Sequence, residues 1–118
     1  MSRNYMSKND ELRKGDSLQS NNGKWVAIFQ DDGNFVIYTN GKAAWASGTN
    51  GSDGFRVVLQ GDCNLVMYDC NDGAVWSTNS YTLEANMCHL RITDGGALEL
   101  YREAQKIWSS AENTGKKY

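Results

Sequence analysis

Five residue types recur at alternate positions in two separate stretches of the chain. They are Gln30, Asp32, Asn34, Val36 and Tyr38 in QDDGNFVIY, and Gln60, Asp62, Asn64, Val66 and Tyr68 in QGDCNLVMY. An ionised Asp only accepts hydrogen bonds, Gln and Asn amides donate and accept, and a Tyr hydroxyl does either. Val adds a small apolar surface. The set holds no nucleophile–base pair, and the single histidine, His89, lies outside it. Donors and acceptors converging beside one apolar contact suit a ligand that is dense in hydroxyls and has a C–H face, which is the chemistry of a sugar. Turns favour Asp and Asn on their own account. That explains Asp32/Asn34 and Asp62/Asn64, but neither the Gln before them nor the Tyr after them.

The residues between the polar ones show what must position them. Phe29, Phe35 and Ile37 alternate with the first set, and Leu59, Leu65 and Met67 with the second. Period two means strands with one buried and one exposed face. A third stretch, TDGGALELY, falls into register when Tyr38, Tyr68 and Tyr101 are aligned, with Ile92, Leu98 and Leu100 at the inward positions. A Trp follows each Tyr: Trp45 in AAWASGT, Trp76 in AVWSTNS and Trp108 in KIWSSAE. The pattern predicts strands at WVAIF, FVIY, FRVVL, LVMY, HLRI and LELY, hairpin turns at the Asp-Gly segments, and no helix.

The chain therefore reads as all-β and as one domain over 1–118. Its repeat units fall at roughly 24–50, 54–80 and 87–113, with 1–23 as an N-terminal segment. One small sheet cannot bury its apolar face alone. Three can, by turning inward around Trp45, Trp76 and Trp108. Alternation by itself leaves a prism, a trefoil and a small barrel open, although the units are short for a trefoil and lack its Gln-x-Trp ends.

The composition excludes several classes. With 12 Lys+Arg against 14 Asp+Glu, net charge −2, there is no basic surface for nucleic acid. No apolar run approaches the ~20 residues of a membrane-spanning helix, so no membrane insertion is expected. The N-terminal stretch lacks the apolar core of a signal peptide. The DDGN stretch is too short for a calcium loop, and the Cys/His spacing does not suit zinc, so no metal or other cofactor is expected. Asp32 and Asp62 occupy equivalent places in different units, too far apart for a glycosidase pair, and no enzymatic activity is expected. His89 falls on an alternating strand as a surface residue. Asn50-Gly51-Ser52 is a glycosylation sequon.

The repeated Gln-x-Asp-x-Asn-x-Val-x-Tyr resembles the mannose-site motif of the bulb-type (snowdrop-like, monocot) lectins, and the chain is similar to that family's fish mucus members. The likeness runs from NDELRKGDSL at 9–18 through all three units to Trp108. It implies a β-prism II fold and one metal-independent site for terminal mannose per intact motif. Asp32/Asn34 and Asp62/Asn64 would hold the axial 2-hydroxyl, Gln30 and Gln60 the 3-hydroxyl, and Tyr38 and Tyr68 the 4-hydroxyl. Val36 and Val66 would pack on ring carbons. The third unit has Thr93, Gly95, Ala97, Glu99 and Tyr101 at these positions, so its site is expected to be lost.

Of the three cysteines, Cys63 and Cys70 would stand about 23 Å apart on an extended segment, too far for a disulfide. The resemblance selects Cys63–Cys88 and leaves Cys70 free; a reduced chain with three thiols is the alternative. The resemblance also implies a homodimer formed by exchange of the C-terminal KIWSSAENTGKKY, an extracellular (secreted, mucus) location, with a cytoplasmic one as the alternative, and a defence role. The functional alternative is a protein-interaction module of the same fold that does not use the sugar sites.

Overall fold

The computed structural model describes residues 3–83 and 87–118; residues 1–2 and 84–86, which belong to the expected N-terminal segment and an inter-unit stretch, lie outside the described part. Thirteen strands are present among the described residues, and no helix. They are β1 (Tyr5–Ser7), β2 (Glu11–Arg13), β3 (Ser17–Gln19), β4 (Val26–Phe29), β5 (Phe35–Thr39), β6 (Lys42–Ala46), β7 (Gly54–Leu59), β8 (Leu65–Asp69), β9 (Ala74–Ser77), β10 (Cys88–Ile92), β11 (Leu98–Arg102), β12 (Gln105–Ser109) and β13 (Lys116–Lys117).

The strands form three antiparallel sheets, ordered β3-β4-β5-β6, β13-β9-β8-β7-β2 and β1-β10-β11-β12. Each is built on a three-stranded meander from one repeat. The inward residues Phe29, Phe35, Ile37, Leu59, Leu65, Met67, Ile92, Leu98 and Leu100 are all buried. At roughly 1.5–3 kcal/mol per large apolar side chain, they are the main force holding the faces together. On the axis the rings of Trp45, Trp76 and Trp108 meet edge to face, with centroids 6.0, 5.9 and 6.2 Å apart, the geometry aromatic quadrupoles favour.

The N-terminal segment gives one strand to each sheet. It is a six-residue repeat in its own right: Met6, Leu12 and Leu18 are the buried centres of β1, β2 and β3. The two connections are alike. Asp10 accepts from Ser7 N at 2.8 Å and Asp16 from Arg13 N at 2.8 Å, and Asn9 and Gly15 carry the positive φ that each turn requires.

At the other end, β13 pairs with β9 of the same chain, Lys116 with Ser77 and Lys117 with Trp76. Trp76 Nε1 donates to Thr114 O at 2.7 Å. The equivalent Nε1 atoms of Trp45 and Trp108 are buried with no hydrogen-bond partner among the described residues. The segment expected to exchange between chains thus pairs internally here, 105–109 on β11 and 116–117 on β9. Cys63 and Cys88 are joined as a disulfide, Cα–Cα 5.5 Å, tying the second sheet to the third; Cys70 is free and exposed.

Candidate functional site

The same turn joins the first two strands of each repeat. Gln30 N donates to Asn34 O at 2.9 Å and Gly33 N to Gln30 O at 3.1 Å; Gln60 N to Asn64 O at 2.9 Å and Cys63 N to Gln60 O at 3.1 Å. In the third unit Thr93–Ala97 and Gly96–Thr93 repeat the pair at 2.8 and 3.0 Å. Gly33 (φ 85°), Cys63 (φ 69°) and Gly96 (φ 92°) occupy the left-handed position. The second unit thus places a half-cystine where the others use glycine.

This turn brings the polar set together on the outer face of each sheet. In the first site, Asp32 Oδ1 accepts from Asn34 N at 3.0 Å. Asn34 Oδ1 takes three donors at 3.1 Å: Ser47 Oγ, Gly48 N and Thr49 N. Those bonds fix the amide orientation and leave the Nδ2 donor pair with no protein acceptor among the described residues. The second site repeats this. Asp62 Oδ1 accepts from Asn64 N at 3.0 Å, and Asn64 Oδ1 accepts from Thr78 Oγ1 at 3.2 Å and Ser80 N at 3.1 Å. Each site therefore holds a carboxylate acceptor and an aimed amide donor side by side, a pair that can engage one hydroxyl as donor and acceptor at once.

The Gln–Tyr pairs close the other end. Gln30 Nε2 donates to Tyr38 Oη, whereas Tyr68 Oη donates to Gln60 Oε1, and Gln60 Nε2 turns to Asp62 at 3.1 Å. The two amides thus point in opposite senses. Val36 and Val66 lie between, but only 3% of each is exposed. Sequence alternation puts them outward, and they are on the outer face. Neighbouring strands cover them at Ile28 and Ala46, and at Val58 and Ser77, so they form a floor rather than a projecting patch.

The second site is also more strongly charged. Arg56, opposite Tyr68, lies 5.3 Å from its ring centroid and pairs with Glu11 at 3.4 Å and Asp72 at 3.3 Å. Burial first, and then the Asp62 charge, push the Tyr68 hydroxyl above the ordinary tyrosine range, so it stays protonated.

The third unit fills its face with its own side chains. Glu99 stands at the valine position, and its carboxylate accepts from Tyr101 Oη at 2.9 Å and meets Arg91 at 3.4 Å and Lys106 at 3.8 Å. His89 stacks on Tyr101, centroids 5.2 Å apart. Ala97 replaces the aimed amide, and Trp25 packs so closely on Gly96 that a Cβ there would lie 2.6 Å from its ring. Among the described residues no three His, Cys, Asp or Glu side chains converge as metal ligands would.

Sequence reasoning missed the hydroxyls that aim the amides. Thr49 Oγ1 meets Ser47 Oγ and donates to Gly33 O, both at 2.7 Å. Ser80 Oγ meets Thr78 Oγ1 at 2.7 Å and donates to Cys63 O at 2.9 Å. The signal was a hydroxyl-x-hydroxyl triplet after each Trp, Ser47-Gly48-Thr49 and Thr78-Asn79-Ser80. In the third unit it decays to Ser110-Ala111-Glu112 along with the loss of the asparagine.

A lectin relative spans almost the whole chain. The B-type lectin plumieribetin of Scorpaena plumieri is 55% identical over 114 residues, covering 97% of this chain and all of the relative. The chain belongs to the bulb-type (B-type) lectin family. That family is a non-enzymatic family of carbohydrate-binding proteins. Among solved structures, the monomeric monocot mannose-binding lectins from Gastrodia elata superpose with a TM-score of 0.83 at 32% identity, over 93% of this chain and 98% of theirs. The snowdrop (Galanthus nivalis) mannose-specific agglutinin, solved with methyl-α-D-mannoside, superposes at 0.76 with 26% identity, over 83% and 88%. The fold is the β-prism II of these lectins. No family model matches the chain.

Proposed function

We propose that this lectin recognises terminal D-mannose, without calcium, through two sites: Gln30, Asp32, Asn34, Val36 and Tyr38, and Gln60, Asp62, Asn64, Val66 and Tyr68. The observation that supports this most directly is the filled carbonyl of Asn34 and of Asn64. With those acceptors used internally, each amide has its donors left for a ligand hydroxyl whose own proton goes to Asp32 or Asp62. An axial 2-hydroxyl meets that pair, and the Gln–Tyr end takes the 3- and 4-hydroxyls over the valine floor. Epimers at either carbon leave a buried polar group unpaired, at about 1–3 kcal/mol. The third face, occupied by Glu99 and its cations, does not bind by this mode.

Four net hydrogen bonds of about 1 kcal/mol each give roughly millimolar single-site affinity. Useful avidity then comes from two sites engaging clustered glycans, and a homodimer would carry four. The disulfide supports an extracellular setting, where mannose-rich surface glycans are the targets and a defence role follows. A glycan array with and without EDTA tests the reading. Mannose-terminated ligands bind equally in both conditions, and Asp32→Ala with Asp62→Ala abolishes the signal. Retained target binding by the double variant would instead favour a protein-interaction module.

A further inference from the structure

The two sites differ beyond their shared five residues, because among the described residues only the second sheet carries a fifth strand at its far edge. Val66, the floor of the second site, is paired with Ser77 on β9, and paired residues of antiparallel strands project from the same face. Ser77 is fully buried, and its hydroxyl meets Tyr118 Oη at 3.0 Å. Tyr118 N donates to Val75 O at 3.1 Å, extending the β13 pairing by one residue. The phenol is thus laid along the outer face beside the site while 61% of the residue stays exposed. The Lys116 ammonium lies 5.0 Å from the ring centroid. In the first sheet the corresponding neighbour of Val36 is Ala46, on β6, which has no further strand beyond it among the described residues.

We propose that Tyr118, with Lys116, forms a subsite for the second pyranose of a mannose-terminated chain, so that the second site reads oligomannosides while the first reads a single sugar. This rests on the mannose reading of the sites. The β13 strand stands two strand spacings from β8, about 10 Å, which a disaccharide spans and a monosaccharide does not. An exposed aromatic ring offers a flat apolar surface for the C–H face of a pyranose. The ammonium beside it supplies donors to that sugar's hydroxyls.

The test uses Asp32→Ala protein, in which only the second site remains. Calorimetry compares methyl α-D-mannoside with a panel of α-linked mannobioses. At least one mannobiose binds about fivefold or more tightly than the monosaccharide, the gain expected of one aromatic contact. Tyr118→Ala brings that ratio to about one, and Tyr118→Phe, which keeps the ring and loses the Ser77 bond, retains it. In Asp62→Ala protein the ratio does not respond to Tyr118. A ratio unchanged by Tyr118→Ala, a loss with Phe equal to that with Ala, or no mannobiose preference overturns the subsite alone. Failure of the Asp32→Ala protein to bind methyl α-D-mannoside overturns the mannose reading and the subsite together.

Discussion

Asn34→Asp separates the two jobs of one side chain. The substitution is isosteric, and the retained oxygen still accepts from Ser47 Oγ, Gly48 N and Thr49 N. Folding is thus undisturbed, whereas Asn34→Ala would strand three donors and confuse the result. What changes is the outward atom, an NH2 donor replaced by an acceptor. The ligand hydroxyl has one proton, and Asp32 beside it is also an acceptor, so one oxygen goes unpaired. Losing the bond costs about 1 kcal/mol, and the unpaired acceptor about 1–3 more. The sum, about 2–4 kcal/mol, is roughly a 30- to 1000-fold loss. From a millimolar start, binding falls below detection. The assay is a 1H–15N chemical-shift titration with methyl α-D-mannoside in Asp62→Ala protein, with thermal unfolding of both proteins in parallel. Binding by the substituted protein within about threefold of its parent would refute the assignment of Asn34 as donor. A large fall in melting temperature would refute its structural neutrality.

Two other outcomes follow from features already described. Replacing Cys63 and Cys88 by Ser removes a cross-link between residues 25 apart in sequence, which costs about 3 kcal/mol in the chain-entropy model; differential scanning calorimetry should show a melting temperature lower by about 10 °C. Tyr68 titrates above the ordinary tyrosine value of 10.0, through burial first and the Asp62 charge second. Its contribution to stability is therefore complete below that value and is lost only as pH rises through the raised folded value. Ultraviolet titration should find one late-titrating phenol that moves earlier in Asp62→Asn protein.

What could be read from the sequence was whatever recurs over enough residues to show a period. The inward triplets around Phe35, Leu65 and Leu98, the three tryptophans and the paired polar sets all satisfy that condition, and the sheets place them as alternation requires. Three kinds of feature escaped. The strands β1, β2 and β3 have one buried residue each, so Met6, Leu12 and Leu18 make no alternation. The strand β13 is two exposed lysines, held by backbone pairing that leaves no hydropathy signal. The burial of Val36 and the occupation of the third face by Arg91, Glu99 and Lys106 depend on cross-strand neighbours, which a linear pattern does not contain.

The N-terminal ribbon also sets an order of events during synthesis. Its strand β3 meets β4 almost at once, through Gln19 and Val26. The next, β2, waits for Arg56 to Val58, and β1 for His89 to Arg91. Strand β1 is therefore the last of the three to be paired, although Arg3 just before it bridges Leu18 within the ribbon, and Met6 meets its sheet partner Leu90 only once β10 has been made. Closing such distant pairs is the slow part of a β fold. Strand β1 thus stays without its sheet partner until β10 has been made.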